Sequence, residues 1–378
     1  MTDTATRRFT AGYAAGPNWS ESLTAALADA WPLPEGANLG FLYVSDHYAG
    51  HFAEIVRRLQ QETGIAGWSG TVGLGVATTE GELFDRPALA ILVAALPPDS
   101  FRLFGPLVNP AALAEREAAW LQRQAGTVAL LQADPRTPDL PVLLDDFASA
   151  LGAFTLGGLT ASRGPVAAAP LAHDGESGKG LSGVLLGGEV GIVSGLTQGC
   201  QPIGPAATVP AAEGQGIAEI DGRPALTHLI ELVEGHFGGR AEEAWPLIHP
   251  AFPLPGRDRD DYLVRNLVGM DPARGLIAVG ELVEPGRKIL FCRRDSEGAR
   301  HDLDRMLEDV SVRAAGRAKA GLYVSCVARG PNLFGPEGAE LKRISAALGH
   351  IPLVGFYAGG EISGERLYGY TGVLSLFV

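Results

Sequence analysis

Residues 39–71 read LGFLYVSDHYAGHFAEIVRRLQQETGIAGWSGT, and the order of patterns in this stretch sets the fold class. Leu39-Gly40-Phe41-Leu42-Tyr43-Val44 is an apolar run of the length expected for a buried strand. A polar gap from Ser45 to Gly50 separates it from Phe52, Ile55, Val56 and Leu59, which fall at i, i+3, i+4 and i+7 and form one stripe of an amphipathic helix. Gly64 stands where a glycine cap ends a helix. Ile65 to Thr71 then reads as a glycine-broken strand or turn, and Ala88 to Leu96 as a second buried strand.

The same order returns at the C-terminal end of the chain. Gly321 to Cys326 is a first strand and Val327 to Pro336 a gap; Leu341, Ile344 and Leu348 make a helix stripe capped by Gly349. Gly355-Phe356-Tyr357-Ala358-Gly359-Gly360-Glu361 is the glycine-rich segment, and Tyr370 to Val378 closes the copy. A middle copy runs through Val128 to Ala133, then Pro141 to Leu151 with Leu144, Phe147 and Leu151 on one face, then Phe154 to Thr160, and closes with Leu181 to Leu186. Each copy is a β-α-β-β unit that cannot bury its own sheet face. The prediction is an α+β (mixed α/β) protein of mixed sheets covered by helices, in two pseudo-symmetric halves. Gly204 to Asp221 reads as a connection, Pro224 to Phe237 as a helix, and residues 262–268 and 276–280 as hairpin strands. A boundary near residue 222 then gives domains over 20–222 and 223–378.

The balance of charges narrows the function classes. A net charge of −13 with no long basic run argues against nucleic acid and against anionic membranes. Cys200, Cys292 and Cys326 are an odd count without CxxC spacing, so neither a disulfide framework nor a structural zinc site is expected, which fits a cytoplasmic protein. No run of 18 uncharged apolar residues occurs. Gly67, Gly70, Gly73 and Gly75 lack dinucleotide-loop spacing, and Gly178-Lys179-Gly180 lacks the rest of a P-loop, so no cofactor is expected. His47 and His51 have no third ligand of clear spacing, so no metal is expected either.

The glycine segments carry the functional question. A backbone without Cβ atoms there can approach either a ligand or a neighbouring strand. Polar residues stand beside them: Ser69 and Thr71 around Gly70 and next to Trp68, Thr160 and Arg163 after Gly158, and Tyr357 and Glu361 around Gly359. Cys326, Arg329 and Asn332 lie in the gap of the third copy. If the copies close around a cavity, these thirteen residues are its candidate ligand-binding set. Arg329 has the fork geometry to pair a carboxylate and Glu361 the charge to hold an ammonium group; a loop cap and a surface salt bridge are the alternatives. Cys326 beside Arg329 is either a reactive thiol or a small buried hydrophobe, and Cys200 carries the same ambiguity. No residue is nominated as catalytic.

Several segments together resemble the FIST family. In the N-terminal half these are Gly67-Trp68-Ser69-Gly70, Gly157-Gly158-Leu159-Thr160, and Gln198 to Gly204 leading to Ile220-Asp221-Gly222-Arg223-Pro224-Ala225. In the C-terminal half they are Asp261-Tyr262-Leu263-Val264-Arg265-Asn266, Ser325-Cys326-Val327-Ala328-Arg329-Gly330, Gly355 to Glu361, and Tyr370-Thr371-Gly372-Val373-Leu374. The resemblance implies FIST N-like and FIST C-like domains and a sensory module that binds a small molecule such as an amino acid. Trp68, where a small residue is usual, and Gly360-Glu361-Ile362-Ser363 depart from the pattern. No kinase, cyclase or receiver-like segment is recognisable, so output through a signalling partner is expected. The alternatives are an adaptor with an apolar patch around Trp19, Trp31 or Trp245, and an enzyme using Cys326 or Cys200.

Overall fold

The structure, a computed structural model, describes residues 8–164, 178–254, 261–336 and 338–378. The opening apolar run is the strand Leu39–Ser45, buried at every position. A 3-10 turn, Asp46–His51, takes up the polar gap. The stripe becomes the helix Phe52–Thr63, with Phe52, Ile55, Val56 and Leu59 all buried, each side chain contributing roughly 1.5–3 kcal/mol. Gly64, at φ 72°, caps it by donating its N–H to the Gln60 carbonyl. Trp68–Gly73 then lies parallel to Leu39–Ser45, and Ala88–Ala94 pairs antiparallel on the other side.

The other copies repeat this topology. In the middle one Thr127–Ala133 and Ala153–Leu159 are parallel, with Leu181–Gly187 antiparallel beside the first. In the last, Ala320–Cys326 and Leu353–Ala358 are parallel, with Thr371–Phe377 antiparallel. Each sheet also has a flanking strand that no apolar run announced: Phe9–Ala15, Phe101–Leu107 and Ile192–Gln198.

All three copies belong to one compact unit, made of the chain up to Thr197, Leu303–Leu367 and Thr371–Val378. The α+β class with mixed sheets is what the structure shows. The internal likeness runs over three sheets sharing one core, where the sequence reading expected two pseudo-symmetric halves. Strand alternation explains the layering. Phe41, Tyr43 and Leu92 of copy one, Leu130 and Val184 of copy two, and Val324, Phe356 and Val373 of copy three point into a common inner core. The alternate residues, such as Leu42, Trp68 and Ile91 in copy one or Leu131 and Leu185 in copy two, pack against the covering helices.

The second unit comprises Gln198–Asp302 and Tyr368–Tyr370. One sheet runs Cys200–Pro202, Lys288–Arg294, Ile248–Pro253, Tyr262–Val264; the other runs Ala211–Glu213, Gly216–Ile220, Leu276–Val279, Leu267–Asp271. The helix Ala225–Phe237 buries Leu229 and Val233 against Ile217, Ile277 and Phe291. Two expectations change. Gly204 to Asp221 is not a plain connection but holds the strands Ala207–Thr208, Ala211–Glu213 and Gly216–Ile220, too short and too polar for an apolar run to mark them. Leu267–Asp271 does form a hairpin with Leu276–Val279, whereas Tyr262–Val264 pairs with Ile248–Pro253.

Candidate functional site

Gly70, Gly157 and Gly355 are equivalent, each opposite a residue of the first strand of its own copy: Leu42, Leu131 and Tyr323. A Cβ at these positions would lie 1.8, 1.9 and 1.7 Å from the carbonyl oxygen of that residue. Of the two readings left open by the sequence, close approach to a neighbouring strand holds at all three. The chain then passes from each copy to another. Leu74 N–H donates to the Tyr357 carbonyl at 3.1 Å, Ala161 N–H to Val72 at 3.2 Å, and Gly359 N–H to Leu159 at 3.2 Å. Donors and acceptors stand at matching distances past the equivalent glycines, so the three bends form a cyclic junction. Backbone hydrogen bonds thus occupy the place where a recess was expected.

Several predicted residues line this junction. Thr71 and Thr160 hydroxyls meet at 2.5 Å, and Ser69 Oγ donates to Gln132 Oε1 at 3.2 Å. Gly158 sits across from Glu361, with no room for a Cβ beside Val324 and Ala358. Trp68 is elsewhere: it lies over Gly40 in the helix-side core and donates Nε1–H to the Ile65 carbonyl at 3.0 Å. Arg163 is a half-exposed surface residue forked onto Asp46 and paired with Asp85. Asn332 Nδ2 braces the loop through the Val327 carbonyl at 2.9 Å.

The ionisable groups gather at one end of copy three. Arg329, fully buried, does fork onto a carboxylate, but that carboxylate is internal: Nε and Nη2 reach Glu340 Oε1 at 2.9 and 2.7 Å. Glu340 also accepts from Tyr323 Oη at 2.7 Å, Ser325 Oγ at 3.2 Å and Gly330 N–H at 3.0 Å. Burial works against the guanidinium charge, and Glu340 and Tyr323 outweigh it, holding the Arg329 pKa above its ordinary value. Glu82 comes from the hairpin Gly75–Thr78 and Gly81–Phe84, which copy one adds beside Leu353–Ala358. Burial, aided by Glu340, pushes the Glu82 carboxyl up to about 7, against the opposing pull of its own and the Leu341 backbone N–H and of the Tyr357 hydroxyl.

Cys326 and Glu361 face the inner core, on the opposite side of the sheet end from Tyr323 and Ser325. Glu361 Oε2 accepts from Thr371 N–H at 3.1 Å and Thr371 Oγ1 at 2.7 Å. Burial raises its pKa to about 8 against the pull of Thr371, Arg329 and the Cys326 thiol. One polar atom on each of four side chains is buried without a hydrogen-bond partner: Arg329 Nη1, Tyr357 Oη, Glu82 Oε2 and Glu361 Oε1. Interiors pair nearly all such atoms, so four at one sheet end stand out, with Tyr357 on the same face as Ser325 and Glu361 on the inner side. Glu82 and Glu340 were missed by the sequence reading. Glu340 had a signal, an acidic residue in the first turn of a helix two positions after Gly338; Glu82 had none.

Trp19 stacks on His51 at 5.6 Å, Trp31 is 61% exposed, and Trp245 packs against the core of the second unit. Cys200 and Cys292 are buried, and burial beside Cys200 raises the Cys292 thiol pKa. Among the described residues no group of three or more His, Cys, Asp or Glu side chains could hold a metal ion, and no helix is long and apolar enough to cross a membrane.

Comparison with known proteins gives two family matches: residues 38–223 match the FIST N domain and residues 225–364 the FIST C domain. A protein of Mycobacterium tuberculosis described as uncharacterised is 31% identical over 353 residues, spanning 90% of this chain and 91% of its own length. Another, of Mycobacterium bovis and likewise described as uncharacterised, is 30% identical over 357 residues, 91% of each chain.

Proposed function

The chain belongs to the FIST family, and from that premise we propose that it is a small-ligand sensor whose ligand seat is the polar end of copy three. FIST domains are associated with sensory signal-transduction proteins. The observation that carries the reading is the set of four unpartnered buried atoms on Arg329, Tyr357, Glu82 and Glu361. Arg329 Nη1 offers a charged donor to a carboxylate. Glu361 and Glu82, held near neutrality by burial, offer groups that can take or give a proton to an amine or hydroxyl. An amino acid or a related polar metabolite satisfies this set.

Entry requires the loop from Val327 to Pro331 to lift, since Gly330, at φ 52°, rests on the Tyr357 ring. A ligand carboxylate on Arg329 competes with Glu340, and Glu340 belongs to the helix Ala339–Leu348. That helix is the element that would pass the message to a partner. A thermal-shift screen of the full chain against amino acids and related metabolites tests the reading. A ligand far above its dissociation constant raises the midpoint by several degrees, and Tyr357→Phe or Glu361→Gln removes the rise. Silence across the screen, or a rise that both variants keep, refutes it.

A further inference from the structure

The second unit has a cleft of its own, about 400 Å³ in volume, with Trp245, Pro246, Val268 and Met270 as apolar walls and His249 and Asn266 as polar members. Val268 and Met270 are 56% and 50% exposed on the strand Leu267–Asp271, which is the edge of its sheet. Large apolar side chains at such a position are ready walls for an apolar body.

The polar members define the other half of the guest. His249 Nδ1 is buried with no hydrogen-bond partner. Orphaned buried N–H groups are rarer than under-satisfied acceptors, so the ring proton is assigned to Nε2, leaving Nε2–H as a donor. Burial, with Arg294 nearby, pushes the His249 pKa down to about 4, so the ring is neutral at pH 7. The Tyr370 ring packs on His249 at 4.3 Å, and Tyr370 Oη donates to Asn266 Oδ1 at 2.6 Å. That bond occupies the amide oxygen, and the N–H₂ is the donor end of the side chain. Among the described residues, the side chains of the cleft therefore present donors and no carboxylate, with a guanidinium close behind.

We infer that this cleft binds a small carboxylate carrying an aromatic or branched apolar body and no ammonium group, the class of aryl acids and 2-oxo acids. An ammonium group here finds no carboxylate among the described lining residues and stands near Arg294, which disfavours free amino acids. The site is independent of the seat at Arg329 and Glu361.

Calorimetric or NMR titration of the full chain with phenylacetate, and with phenethylamine as the charge-reversed match, tests the inference. Phenylacetate binds and phenethylamine does not. His249→Phe and Asn266→Ala each weaken phenylacetate by about 10- to 100-fold, the effect of losing a hydrogen bond to a charged group. Met270→Trp, at an exposed position, fills the cleft and abolishes binding in a folded protein. Tyr357→Phe and Glu361→Gln leave it unchanged, which separates this cleft from the other seat. Equal binding of the amine, indifference to Met270→Trp, or no binding at millimolar phenylacetate overturns the inference.

Discussion

Replacing Glu361 by Gln should stabilise the protein by an amount that grows with pH. The carboxyl is wholly buried, bonded through one oxygen to Thr371, with its other oxygen unpartnered. Its pKa is about 8 against an ordinary 4.5. The native state keeps its proton to a higher pH than the unfolded chain does, so between 4.5 and 8 the native state binds more protons and stability falls as pH rises. The gap of 8 − 4.5 = 3.5 units, at about 1.4 kcal/mol per unit, makes the full loss roughly 5 kcal/mol. Gln copies the protonated acid, can still accept from Thr371 and does not ionise. Urea denaturation of wild type and variant at fixed ionic strength, from pH 5 to pH 9, reads the difference directly. It should widen in the variant's favour by about 1.4 kcal/mol per pH unit up to pH 8 and then level off. A difference that stays constant with pH would refute the burial argument for Glu361.

Gly157→Ala, whose Cβ would lie 1.9 Å from the Leu131 carbonyl oxygen, should cost about 3 kcal/mol or more; Gly152→Ala, a helix cap with open space, about 1–2 kcal/mol, by the same denaturation assay. Arg329→Met leaves Glu340 charged and buried and should cost about 3–5 kcal/mol. Adding Glu340→Gln should recover part of that loss, and no recovery would mean the pair is not the cause. Tyr357→Phe removes a hydroxyl that lies beside Glu82 without a well-formed hydrogen bond, so its stability should change by less than about 1 kcal/mol.

The helix stripes were legible because a helix covering a sheet must repeat its apolar residues with its own period, as Phe52, Ile55, Val56 and Leu59 do. Gly64 and Gly349 were legible because a left-handed cap leaves a chemical mark, and both take it, at φ 72° and 76°. The hairpin Gly75–Phe84 was not, because its partner is the strand Leu353–Ala358, far along the chain, and no local pattern names a distant partner. The candidate site divided along the same line. Cys326, Arg329, Tyr357 and Glu361 were named from their neighbourhood in the sequence and gather at one end of copy three. Trp68 and Arg163 shared the same signal, yet strand alternation turns Trp68 to the helix side and Asp46 holds Arg163 at the surface. Glycine spacing revealed where the backbone comes close to something, and only coordinates revealed that the something is a carbonyl of the adjacent strand.

The most direct test of the ligand seat is native mass spectrometry of the full chain after incubation with a pool of small polar metabolites. The account predicts one bound molecule per chain that is lost in Tyr357→Phe and in Glu361→Gln while both variants stay folded. A chain that takes up nothing, or variants that hold the same molecule as the wild type, would contradict it.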